Sequence, residues 1–140
     1  MGLREFSAAT AAALTTLTGP GSGCPLASVE IPALGGALDR EPPAPNAVPS
    51  RGLPFMAFAL GVAPRAEAQP VTDALAAFAE GMSPWADQRT VLNFLSPLAA
   101  STETEMRRLY GDERYARLAA VKKRLDPSNV FRINHNVLPG

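Results

Sequence analysis

The sequence is short of the residues from which most metal and nucleophile sites are built. It contains one cysteine, Cys24, and one histidine, His135. A single cysteine excludes an internal disulfide. One His and one Cys are too few for a zinc-type ligand set, and a serine or cysteine triad would depend on His135 as its base, with no GxSxG sequence around any serine. These shortages argue against an autonomous hydrolase.

Long apolar runs and an excess of either charge are also missing. The longest apolar stretch, Phe55–Ala63, has nine residues, whereas a membrane-spanning helix needs about 20. Thirteen Lys and Arg residues balance thirteen Asp and Glu residues, so no global field attracts nucleic acid or an anionic membrane. Eight basic residues do lie between Arg107 and Arg132, which we interpret as one helix face. We therefore expect no nucleic acid and no membrane among the partners, and the richness in Ala, Arg and Pro favours a cytoplasmic protein.

Prolines and glycines are abundant, and they separate the predicted elements. Residues 19–25 and 39–52 are loop-forming stretches rich in both. The residues before the first of these loops predict a small N-terminal helix. Weak alternation predicts a strand over 26–34, and the apolar run 55–62 predicts a strand covered on both faces. After Pro70, apolar residues at i, i+4, i+7 and i+11 predict a helix that packs on a sheet, with the stripe Val71, Leu75, Phe78 and Met82.

The C-terminal half predicts a third strand and two helices. Arg89–Leu95 is rich in β-forming residues. Thr102 and Glu105 have the spacing of a capping box that opens a short helix. A second helix follows Gly111 and ends before Pro127, with a predicted buried side of Tyr115, Leu118, Val121 and Leu125 and a solvated side of Arg114, Arg117, Lys122 and Lys123. We also expect Phe131 in the core. This order predicts an α+β fold, with an antiparallel sheet and helices on one face.

The run LYGDERYARLAAVKKRLDPSNVFRINHNVLP, residues 109–139, resembles the C-terminal segment of berberine-bridge-enzyme-like oxidases of the vanillyl-alcohol-oxidase superfamily. In that family, a tyrosine-containing helix leads into Asp-Pro, Asn, Phe-Arg and Asn-Gln-Asn at fixed spacing. Upstream, RTVLNF is similar to the family's YxNF strand, and residues 19–38 and 54–64 look like substrate-domain strands with a glycine turn. The resemblance implies a partial substrate-binding domain over 1–95 and a C-terminal berberine-bridge-enzyme-like segment over 96–140.

The resemblance also implies a cofactor and the residues that contact it. Family members use FAD to take a hydride from an alcohol or amine carbon, with O2 as the acceptor. Asn93 matches the asparagine of YxNF, Asn134 and Asn136 match the two amide positions of the tail motif, and His135 stands where Gln is frequent. These four are the predicted cofactor-binding residues. Val91 stands where the family has a tyrosine at or near the catalytic base, and since valine cannot accept a proton we assign no catalytic residue.

A glycine-rich phosphate-binding segment is missing from the 140 residues. We therefore expect an FAD-binding partner chain or a further N-terminal domain, a small-molecule substrate, and an isolated chain that is inactive as an oxidoreductase. Other interpretations stay open. Asn93 could mark a strand edge, Asn134 and Asn136 could form a turn, and His135 could be a docking residue. The alternative function is a non-catalytic interaction module or relic, with self-association through unpaired strand edges.

Overall fold

The computed structural model describes residues 1–96, 100, 102–133 and 135–140. The described strands are β1 Gly2–Leu3, β2 Ser28–Glu30, β3 Phe55–Met56 and β4 Phe58–Leu60. The described α-helices are α1 Ala8–Thr18, α2 Gln69–Met82, α3 Glu103–Tyr110 and α4 Asp112–Leu125. No helix among the described residues is long and apolar enough to cross a bilayer.

The described strands form two antiparallel sheets of two strands each, which meet along the segment of β3 and β4 and are together called the sheet below. β3 pairs with β1, and β4 pairs with β2. The β2 register continues to a bridge between Ala33 and Phe55, so both neighbours flank the same central segment. Beyond β1, Leu3 bridges to Ala86. The sheet agrees with the predicted α+β class and with the antiparallel pairing.

One face of this sheet packs against α1 and α2. Phe78 and Met82 of α2 are buried with Leu3 and Ala57, and Leu14 and Leu17 of α1 pack on the same cluster. This confirms the buried end of the predicted stripe. Gly81 allows the two helices to approach, because a Cβ there would lie 2.6 Å from a methyl carbon of Leu17. The helices of this region therefore lie on one face of the sheet, as predicted.

The opposite face of the central segment is covered by loops. Met56 packs with Leu34 and Leu53 in a second buried cluster, with Phe58 and Val91 at its edge. The prediction of a strand covered on both faces is thus right for the first half of the run. It is wrong for the second half, whose apolar side chains Leu60 and Val62 are 45% and 76% exposed.

The predicted strand over Arg89–Leu95 is wrong. These described residues contain a 3-10 turn at Leu92–Phe94 in its place. Before the turn, the Asp87 carboxylate accepts hydrogen bonds from the amide, Nε and Nη2 of Arg89 at 2.8, 2.9 and 2.9 Å, and the same guanidinium donates to the carbonyl of Arg51 at 2.8 Å. The hydrogen bond from Arg89 lowers the pKa of Asp87 to about 2. Local side-chain bonds outweigh the weak β-preference of this segment.

The helices α3 and α4 form a separate C-terminal cluster. The capping box is confirmed: the Thr102 amide donates to the Glu105 carboxylate at 2.9 Å, and the Glu105 amide donates to the Thr102 hydroxyl at 3.3 Å. Met106, Tyr115 and Ala119 are buried together with Ala100. The Arg107 guanidinium lies 4.5 Å from the centre of the Tyr115 ring. Tyr115 is therefore a core residue, as predicted.

The rest of the predicted α4 pattern holds only in part: Arg117 and Lys123 are exposed, as predicted, and Leu118 is partly buried. Val121 is 46% exposed and Leu125 is 70% exposed, and Phe131, which we expected in the core, is 82% exposed. Lys122 was placed on the solvated side, yet its side chain is only 14% exposed because it pairs with Asp126. Helical periodicity identifies an apolar stripe, but it does not say whether this chain covers that stripe.

Candidate functional site

The chain leaves α4 through a turn that one carboxylate organises. The Asp126 side chain accepts hydrogen bonds from the amides of Val130 and Phe131 at 2.7 and 3.1 Å. Lys122, one helical turn earlier, pairs with the same carboxylate and also donates to the Phe131 carbonyl. The hydrogen bond from Lys122 is the main reason why the pKa of Asp126 is lowered. Asn129 takes the left-handed conformation, at φ 51°, that closes the turn.

His135 holds the tail against the segment that precedes α3. Its Nδ1 lies 3.2 Å from the carbonyl of Ala100, and its Nε2 lies 3.1 Å from the carbonyl of Leu95. A carbonyl only accepts, so a neutral imidazole, with one N–H, satisfies one of these contacts, whereas a protonated ring satisfies both. Both ring nitrogens are thus directed at the protein's own backbone. The arrangement suits the docking interpretation, and contact with a cofactor stays a prediction.

Between α4 and the tail runs a depression of about 310 Å³, which we call the tail groove. Its lining consists of Tyr110, Leu118, Val121, Lys122, Leu125, Asp126, Phe131, Ile133, His135, Asn136 and Val137. The two described members of the predicted tail set, His135 and Asn136, meet here. The third, Asn134, lies outside the described residues.

Asn136 carries the one buried polar atom of this groove that lacks a hydrogen-bond partner among the described residues. Its Oδ1 is buried and accepts no hydrogen bond. A buried acceptor without a donor costs about 1–3 kcal/mol, so the site is better satisfied when some N–H or O–H group reaches it. The amide can both accept and donate, as contact with the edge of a flavin ring requires.

Asn93 lies in a different depression. It is exposed on the 3-10 turn Leu92–Phe94 and lines a cavity of about 300 Å³ together with Val91 and the loop residues 47–50. The structure therefore does not bring Asn93 and Asn136 into one cavity. Val91 does stand beside Asn93 there, at the place where the resemblance expects a tyrosine.

Tyr110 links the two depressions, and we did not predict it. It lines both the tail groove and the Asn93 cavity. Burial raises the pKa of its phenol above the usual value, so the hydroxyl stays protonated at neutral pH and can donate a hydrogen bond. The available signal was its place at the end of α3, directly before Gly111. Asp126 was also missed as a site-shaping residue, although its i, i+4 spacing from Lys122 was visible.

The described residues offer no group of three or more His, Cys, Asp or Glu side chains that could hold a metal ion. Apart from the paired Lys122 and Asp126 and the imidazole of His135, the site consists of amide, phenol and apolar groups. Such groups bind and orient an organic ligand by hydrogen bonds and contact area.

Comparison with known proteins locates the similarity in this same region. The family model described as "Berberine and berberine like" matches residues 101–138, which include α3, α4 and most of the tail. The match covers 38 of the 140 residues. No curated protein matches the chain. The C-terminal segment is thus similar to that of berberine-bridge-like proteins, and this similarity supports a relationship with FAD-linked oxidoreductases.

Proposed function

We propose that this chain provides the substrate-side and C-terminal wall of an FAD-dependent oxidoreductase, as a partial substrate domain of the vanillyl-alcohol-oxidase type. The observation that carries the proposal is the tail itself, which Asp126 folds, His135 docks, and Asn136 leaves with a buried unsatisfied acceptor in the groove wall. The match over 101–138 supports it. In this proposal, a partner chain or a further N-terminal domain binds most of the FAD.

The two cavities fit part of a flavin and not the whole cofactor. Ligand pockets usually enclose roughly 300–1,000 Å³, and each depression here, at about 310 and 300 Å³, lies at the lower end of that range. One edge of the ring system would therefore contact this chain. Asn136 would hold that edge from the tail groove, and Asn93 would approach from the other cavity. Asn134 belongs to the same proposal.

Bound FAD would supply acceptance of a hydride from an alcohol or amine carbon, with O2 as the final acceptor. The residues of this chain bind and orient the reactants. Val91 has no atom that takes a proton, so the base comes from outside the residues that we assign here. Tyr110 donates a hydrogen bond from its protonated phenol to the substrate or to the flavin edge. The substrate is a small molecule that enters between this chain and the polypeptide that binds most of the FAD.

Equilibrium dialysis against FAD tests the proposal on the purified chain. We expect weak retention that falls when Asn136→Ala removes the acceptor. A matched control is Gln88→Ala, which truncates an exposed amide away from both cavities. Equal retention by the wild type, Asn136→Ala and Gln88→Ala would contradict a flavin contact at Asn136.

The second candidate function is a non-catalytic interaction module derived from such an oxidase. It is favoured by Val91 and by the exposure of Phe131 and Ile133, at 82% and 84%. Self-association belongs to this alternative. A chain that is folded by circular dichroism, retains no FAD and elutes as a dimer would support it. For either function we propose a cytoplasmic location, which cell fractionation would test.

A further inference from the structure

Part of the lining of the tail groove is an apolar surface that the described residues leave exposed. Leu125, Phe131 and Ile133 are 70%, 82% and 84% exposed, and Val121 beside them is 46% exposed. Single exposed apolar residues are common on protein surfaces, but a contiguous group with a polar border marks an interaction site. These four side chains line one groove. They therefore form one contiguous apolar patch.

The border of this patch is basic. Arg114 and Arg117 line an adjoining depression of about 190 Å³ together with Leu118 and Val121. Arg124 follows Arg117 by seven residues, so both lie along the same side of α4. Among the described residues, none of these three guanidinium groups forms an ion pair with a carboxylate.

Basic side chains outnumber acidic ones around the patch. Residues 112–133, from the start of α4 to the last apolar residue of the patch, contain six basic and three acidic side chains, a formal charge of +3. Two of the acids, Asp112 and Glu113, share a depression with Arg114 and Arg117. Asp126 pairs with Lys122 and accepts two backbone amides. The rim therefore presents positive charge that an incoming carboxylate can neutralise.

These features select one kind of occupant. A second copy placed symmetrically on this face would set basic rim against basic rim, which costs free energy. An anionic membrane is flat, whereas this surface is a groove, and the chain as a whole is formally neutral. A polypeptide helix with one apolar stripe and flanking carboxylates complements both the exposed apolar lining and the basic rim.

We propose that α4 and the tail form a docking groove for an acidic amphipathic helix of a partner polypeptide. Apolar side chains of that helix cover Leu125, Phe131 and Ile133, and its Asp or Glu residues pair with Arg117 and Arg124. The proposal goes beyond the flavin function, because it requires neither FAD nor substrate. Its ionic part weakens as salt screens the rim, whereas its apolar part persists.

A pair of synthetic peptides tests the groove directly. The first is a helix of about 18 residues, long enough to form in solution, with Leu at i, i+3, i+4 and i+7 and Glu on both flanks. The second has Lys in place of each Glu. We expect fluorescence anisotropy to show binding of the Glu peptide and at least about tenfold weaker binding of the Lys peptide.

Matched variants locate the binding. Ile133→Ser removes an exposed apolar residue of the groove and is expected to weaken binding of the Glu peptide by at least about tenfold. Val62→Ser removes an equally exposed apolar residue outside the groove and should leave the affinity unchanged. Arg117→Glu with Arg124→Glu should reverse the preference between the two peptides.

Four results would overturn the proposal. The first is the absence of binding by the Glu peptide, and the second is equal binding of both peptides. The third is a wild-type dimer in light scattering that Ile133→Ser dissociates, which would assign the face to a second copy. The fourth is binding to phosphatidylserine vesicles, lost in Ile133→Ser, by a chain that does not bind the Glu peptide.

Discussion

The region around the sheet and the C-terminal region are held together by different kinds of contact. In the first, residues far apart in sequence pair along strands, and both faces of β3 are covered by this chain. In the second, one capping box, i, i+4 ion pairs and a carboxylate-centred turn give the structure, and the apolar side of α4 is left open. The first region is thus held by long-range contacts, whereas the second is held by local contacts that leave several apolar side chains exposed.

Removing a side chain from the core of the first region should have the largest effect. Phe78 is 5% exposed and packs between α2 and the sheet. We expect Phe78→Ala to lower the free energy of unfolding by about 3–5 kcal/mol, measured by urea denaturation. Val62→Ala, at a 76% exposed position, should change it by less than about 0.5 kcal/mol. A small loss for Phe78→Ala would show that this region is looser than its packing indicates.

Removing the turn carboxylate should affect the second region alone. Asp126→Ala deletes the acceptor of the Val130 and Phe131 amides and the partner of Lys122. We expect hydrogen exchange at those two amides to become as fast as at exposed amides, while α2 amides keep their protection. Asp73→Ala, which deletes a carboxylate hydrogen-bonded to Gln69 on α2, is the control. Unchanged protection at Val130 would mean that the tail is held by other contacts.

A smaller and opposite effect is expected inside the C-terminal cluster. The Tyr115 hydroxyl is buried and has no hydrogen-bond partner among the described residues. Because an unsatisfied buried hydroxyl costs free energy, Tyr115→Phe should stabilise the protein by about 1 kcal/mol in thermal or urea unfolding. Tyr110→Phe, at a half-buried position beside it, serves as the comparison. Destabilisation by Tyr115→Phe would reveal a partner for the hydroxyl.

The smallest expected effect is the contribution of Asp87 to the pH dependence of the free energy of unfolding. Its folded-state pKa, about 2, lies below the ordinary value of 3.8. The ionised form is therefore favoured by folding: the stabilisation is complete above about pH 4 and is lost as the pH falls through about 2. Because Arg89 is 40% exposed, we expect less than about 1 kcal/mol. Urea midpoints between pH 5 and pH 2 should fall less steeply in Asp87→Asn, and equal slopes would contradict this.

The same contrast explains how much could be predicted from the sequence. The α2 stripe and the Thr102 capping box were readable because periodicity and cap spacing are local signals. The strand predicted over Arg89–Leu95 is wrong for a physical reason. The hydrogen bonds between Asp87 and Arg89 determine the backbone conformation more strongly than β-propensity does. On α4, periodicity identified the stripe but not its exposure, because exposure depends on what packs there.

The candidate site was predictable only in part. His135 and Asn136 share one groove, and their contact with a cofactor stays a prediction. The resemblance alone predicted that Asn93 contacts the same cofactor, and Asn93 lies in another cavity, which shares Tyr110 with the groove. Tyr110 could not be singled out, since its role depends on the loop 47–50 packing near the end of α3. Sequence distance gives no measure of that contact.

The glycine at the junction between α3 and α4 limits how this protein can be redesigned. Gly111 adopts φ 78° and ψ 149°, a conformation open almost exclusively to glycine. A Cβ built there meets no atom within 4 Å, so space is not the restriction and smaller neighbours would not relieve it. The exposed apolar residues of the groove, Leu125, Phe131 and Ile133, can be exchanged in a library, whereas Asp126 and His135, which hold the tail, are kept. Position 111 should stay fixed, because it determines the direction in which α4 leaves α3 and hence the shape that all those exchanges share.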